Sequence, residues 1–103
     1  MQRQDYIERM IAQIAEAIGR ALGFATTGRP LEAQGELDAA WSASIGLRRA
    51  DVQRLDVATL RSLLGAKRAA AATLLEAEAD VKQLRGDLGS ESALRTLATM
   101  LRQ

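Results

Sequence analysis

Large aliphatic residues recur at helical spacing along the first quarter of the chain: Ile7, Ile11, Ile14, Ile18 and Leu22 are four, three, four and four positions apart. Tyr6, Met10, Ala17, Ala21 and Phe24 widen the same face. A strand keeps its apolar residues at one parity, and these do not, so the pattern predicts one long helix over about 2–25. Thr26-Thr27-Gly28-Arg29-Pro30 interrupts it, because Gly28 suits the left-handed turn after a helix and Pro30 suits the first position of the next. A second helix, over 30–44, carries Ala33, Leu37, Ala40, Trp41 and Ser44 on one face. The short link between the two predicts an antiparallel hairpin.

Beyond Gly46 the signals are shorter. A helical turn is expected around 50–55, then a helix over 57–64 capped by Asp56, closed by Gly65 and facing inward through Leu60, Leu63 and Leu64. The stretch 66–85 predicts the second strong helix, with Leu74, Ala77, Val81, Leu84 and Leu88 forming its seam. About two heptads of that seam are too few for a coiled coil, so packing within a bundle is expected. Gly86, Gly89 and Ser90 mark the last turn, with Ser90 as N-cap and Leu94, Leu97, Ala98 and Leu101 as the inner face of a terminal helix. The fold class expected is all-α, as one helical domain over 1–103: a first antiparallel hairpin over 1–45, short connector helices over 46–65 and a second hairpin over 66–103.

Composition narrows the chemistry. The 103 residues include no Cys and no His, which removes disulfides, thiol nucleophiles, His-based metal sites and every Ser-His or Cys-His mechanism. Only Lys67 or Lys82 could serve a hydroxyl as an unconventional base, and an enzyme is not expected. Glu76, Glu78 and Asp80 form a carboxylate cluster on one helix, but without a Glu-x-x-His partner it reads as a solvated face. No cofactor and no metal are expected. No apolar run is long enough to span a bilayer, and Arg3, Asp5, Glu8 and Arg9 interrupt the N-terminal stretch, so a cytoplasmic protein without membrane contact is expected.

The net charge of +1 conceals an asymmetry: residues 1–46 carry four basic and six acidic side chains, 47–68 six and two, and 69–103 four and five. Arg48, Arg49, Arg54, Arg61, Lys67 and Arg68 thus form one basic block on the connector. Overall charge balance and the lack of interleaved aromatics argue against nucleic acid as the main partner.

Between Ala21 and Ala40 the residues Ala21, Phe24, Gly28, Glu32-Ala33, Leu37 and Ala40 resemble the small and large alternation of a tetratricopeptide helical hairpin, and Gly86, Ala93, Leu97 and Met100 echo it. The opening, Met1 followed by Asp5 to Ile11, resembles small bacterial proteins of that helical type whose function is uncharacterised. The resemblance implies stacked helical hairpins and a habit of binding proteins, with no catalytic residues to transfer. The function expected is a non-enzymatic protein-interaction module or small adaptor; the alternative is a nucleic-acid-associated regulator using 47–68. Tyr6, Met10, Trp41, Arg48 and Arg49 are the candidate protein-binding residues, since they combine contact area or charge with potential exposure. The aliphatic stripe of the first helix is longer than one short neighbour can cover, so a homodimer contact along part of it is expected.

Overall fold

Helix α1 (Gln2–Thr26) follows the aliphatic periodicity for seven turns, and no Pro or cap interrupts it before Gly28 takes φ +76°. In the computed structural model, which describes residues 2–103, α2 (Pro30–Ala40) begins after the resulting tight turn, where the Arg29 amide donates to the Phe24 carbonyl at 2.8 Å. Gln13 and Met10 lie against Ala43 and Ser44 while Arg20 pairs with Glu36, so the two helices run antiparallel as the short link requires. A π-helical turn (Trp41–Ile45) and two short helices, α3 (Arg49–Val52) and α4 (Val57–Leu64), lead through a 3₁₀ turn (Gly65–Lys67) to α5 (Arg68–Leu84) and α6 (Leu88–Arg102). Arg102 reaches Thr73 and Glu76, and Arg95 reaches Asp80 and Gln83, so α5 and α6 form the second antiparallel hairpin. No strand occurs among the described residues, and the architecture is an all-α helical bundle.

The centre of the bundle is α5. It packs against α1, α2 and α6, and its buried residues Ala71, Ala72, Leu74, Leu75, Ala77, Ala79 and Val81 spread around most of its circumference. The many Ala residues let neighbours approach closely, which suits a core whose largest fully buried side chain is Trp41. One cluster of buried residues draws on α1, α2, the π-turn, α3, α4, α5 and α6.

Several expectations shift. The second helix does not continue as α-helix to Ser44: the Gly46 amide donates to the Trp41 carbonyl at 2.8 Å, an i to i+5 bond, and Gly46 closes the turn at φ +89°. Trp41, Ser44 and Ile45 are buried on one face of this turn, as their i, i+3 and i+4 spacing would also place them on a regular α-helix; what changes is the closing hydrogen bond, which spans five residues. The seam of α5 does not extend through Leu84 and Leu88, both of which are exposed, because the chain turns away at Arg85–Asp87. Leu63 is exposed as well, leaving Leu60 and Leu64 as the inward residues of α4. The cap of α6 is Asp87 rather than Ser90: its carboxylate accepts from the Ser90 amide at 3.2 Å, and Gly89 and Ser90 lie inside the first turn. On α1 the fully buried stripe is Met10, Ile14, Ala17 and Ala21; Ile7, Ile18 and Leu22 are only half covered and Ile11 is 54% exposed.

Candidate functional site

The end of α1 that carries Tyr6, the π-turn and the start of α5 meet at one corner of the bundle. Met10 forms part of the core there, and Tyr6, 48% exposed, stands beside it at the surface. Together with Arg9, Gln13, Ala43 and Ser44 they line a cleft of about 250 Å³ between α1 and the π-turn. Lys67 lies on the Tyr6 ring: its Nζ donates to the Ile45 carbonyl at 3.2 Å and lies 5.6 Å from the centre of the ring. One cation thereby satisfies a carbonyl at the end of the turn and faces an aromatic π-cloud.

The candidate residues divide between this corner and the interior. Trp41 is 0% exposed and Met10 is 3% exposed, so Trp41 offers no surface to a partner and Met10 only the edge that lines the cleft. The Trp41 Nε1 is buried without a hydrogen-bond partner among the described residues, a cost the packing around it must offset. Arg48 extends into solvent, its Nε and Nη2 donating to Asp51 at 3.0 and 3.3 Å within the first turn of α3. Arg49 turns inward instead: its Nε and Nη2 donate to the Glu78 carboxylate at 2.9 and 3.1 Å, with side chains only 12% and 7% exposed. This paired fork fastens the connector to the middle of α5.

The carboxylates of α5 are therefore not a merely solvated face. Glu78 takes Arg49, Glu76 takes Arg102, and Asp80 takes Arg95, which Glu91 also holds at 2.9 Å. The Arg102 hydrogen bond holds Glu76 below its ordinary carboxylate range. Asp56 is lowered as well, by hydrogen bonding with Thr59 at the start of α4, where the carboxylate accepts from the amide at 2.9 Å. Among the described residues no group of three or more carboxylates is placed to hold a metal ion.

Internal contacts also divide the basic block of the connector. Arg49 belongs to Glu78, Arg48 to Asp51 and Lys67 to the Ile45 carbonyl, while Arg61 and Arg68 line a shallow recess with Ala58 and Ser62. The sequence signals missed the inward turn of Arg49 and the contacts of Lys67 with the Ile45 carbonyl and the Tyr6 ring. A charge at Glu78 inside the Ala-rich run 69–79 was the one clue to a buried ion pair. No helix among the described residues is long and apolar enough to cross a membrane. No family model, curated protein or solved structure matches the chain.

Proposed function

We propose that the chain is a non-enzymatic protein-interaction module, acting in the cytoplasm, that holds a short protein segment in the cleft between α1 and the π-turn. The cleft carries this reading: Met10 supplies an apolar floor, Tyr6 a half-exposed aromatic wall, and Arg9, Gln13 and Ser44 a polar rim. Such a site suits an apolar side chain followed by a carboxylate, the first seated against Met10 and Tyr6 and the second met by Arg9 or Lys67. π-turns recur at functional sites, since the extra residue disturbs regular packing and opens a recess beside it. The arrangement is also similar to neighbouring tetratricopeptide hairpins, because α5 packs on both helices of the first hairpin and pairs with α6. The connector through α3 and α4 is much longer than the turns of that family.

Selection from a display library of random peptides tests the reading. Selected peptides are expected to share an apolar residue next to an acidic one and to shift the amide resonances of Gln13, Ala43 and Ser44. The Tyr6→Ser variant, altered at a half-exposed position, is expected to bind them at least about fivefold more weakly. Failure to select any binder, or a footprint confined to α6, contradicts the proposal.

A further inference from the structure

Two arginines, at the end of the connector and the start of α5, stand apart from the other charges of the molecule. Six arginines are held by carboxylates, and even Arg48, which extends into solvent, reaches Asp51. Arg61 and Arg68 are half-buried, yet among the described residues neither guanidinium has a carboxylate or another hydrogen-bond acceptor. Both line one recess of about 300 Å³, together with Ala58 and Ser62. We propose that this recess, between α4 and the start of α5, binds the phosphoryl group of a phosphoserine or phosphothreonine carried by a partner protein.

A guanidinium drawn partly out of water without an acceptor is costly, and two in one recess also repel each other; an anion between them relieves both. The chain supplies none there. It has no Asp or Glu between Asp56 and Glu76. Those two are engaged, Asp56 with the Thr59 amide and Glu76 with Arg102. Lys67 turns away to the Ile45 carbonyl, so the recess presents planar forks rather than an ammonium. A carboxylate carries one charge and two oxygens, which a single arginine fork fills. A phosphoryl group brings about two negative charges and three acceptor oxygens, enough for both forks and the Ser62 hydroxyl. Nucleic acid suits the recess less well. Two arginines neutralise little of a phosphate backbone, and none of Tyr6, Phe24 and Trp41 lines the recess to stack on a base. Arg68 also lines a second recess, of about 280 Å³, with Ala66, Ala69, Leu101 and the Glu76-bound Arg102. That neighbour seats an apolar residue next to the phosphorylated one, a contact that free phosphate lacks. The site shares no residue with the Tyr6 cleft, so either can fail without the other.

NMR of the full chain, titrated with a peptide library centred on phosphoserine and with the same library centred on serine, tests the assignment. The phosphorylated library is expected to shift the amide signal of Ser62 and the side-chain Nε signals of Arg61 and Arg68, while the serine library leaves them in place. Arg61→Gln and Arg68→Gln are each expected to weaken binding at least about tenfold, since each removes one charge-assisted fork. Arg61→Lys and Arg68→Lys, which keep the charge and lose the fork, are expected to fall between these and the natural chain. Arg54→Gln, at a position that lines neither recess, is expected to leave binding unchanged. Unchanged helical circular dichroism confirms that the variants fold. Two libraries that act alike overturn the proposal, as does an equal loss in Arg54→Gln and Arg61→Gln, the mark of diffuse charge. Inorganic phosphate binding as tightly as the phosphorylated library overturns it too. So does a single-stranded oligonucleotide that moves the same signals at a lower concentration.

Discussion

Arg49 and Glu78 decide how firmly the connector holds the bundle together. Two charges sit almost out of water, and their paired hydrogen bonds offset the desolvation only while both are present; one Arg49 nitrogen, Nη1, is already buried without a partner among the described residues. Glu78→Ala is therefore expected to lower the unfolding free energy in urea by about 3–5 kcal/mol. The double variant Arg49→Met with Glu78→Leu is expected to lose less than that, because no unpaired charge remains. At the surface Glu76 behaves differently. Its carboxyl is depressed below the ordinary 4.5 by the Arg102 hydrogen bond, so the folded chain binds its proton less readily than the unfolded chain. The contribution is full above the unfolded value and is lost as pH falls through the depressed folded value. Thermal melts across pH 2–6 are expected to show a shallower acid decline in Glu76→Gln than in the natural chain; parallel declines contradict this assignment.

At the level of elements, caps and turns divide into those the backbone requires and those it tolerates. Gly65 joins α4 to the 3₁₀ turn at φ +53° and ψ −121°, where a side chain is strained, so Gly65→Ala is expected to cost about 1–3 kcal/mol. Gly35 lies within α2, and a Cβ there meets nothing within 4 Å, so Gly35→Ala is expected to gain about 0.5–1 kcal/mol in the same urea titration. Opposite signs at the two glycines are the outcome to check. The same distinction explains which elements could be read from sequence. α1, α2, α4 and the inner face of α6 follow from periodicity and from Asp56, Gly28 and Pro30, which act locally. The π-turn does not, since Trp41, Ser44 and Ile45, at i, i+3 and i+4, would share one face on a regular α-helix as well, and nothing in their spacing signals the wider turn. Ser90 could not be distinguished from Asp87 as cap by residue type alone, because both side chains accept an amide hydrogen bond.

Over the whole molecule, α1 has more apolar surface than the rest of the bundle covers. Its buried stripe serves α2 and α5, the Tyr6 corner opens a cleft beside the π-turn, and the Ile11 face remains at the surface. The aliphatic stripe signalled this surplus in the sequence. Which residues were surplus could be known only once packing chose Met10, Ile14, Ala17 and Ala21, because Ile and Met compete for burial on nearly equal terms. Trp41, which its spacing from Leu37 already points along the inner stripe, and Arg49, expected at a contact surface, both serve the interior, where a large ring and a paired guanidinium hold the connector against α5. The central claim is that the cleft between α1 and the π-turn holds a protein segment, and the chain provides its own reporters. Its five isoleucines are Ile7, Ile11, Ile14, Ile18 and Ile45, of which Ile14 and Ile45 are buried. A titration with a selected peptide followed by isoleucine-methyl NMR is therefore expected to move the Ile45 signal, next to Ser44 of the cleft, while Ile11 and Ile18, on another face of α1, stay fixed. Five signals that do not change across the series would contradict the account.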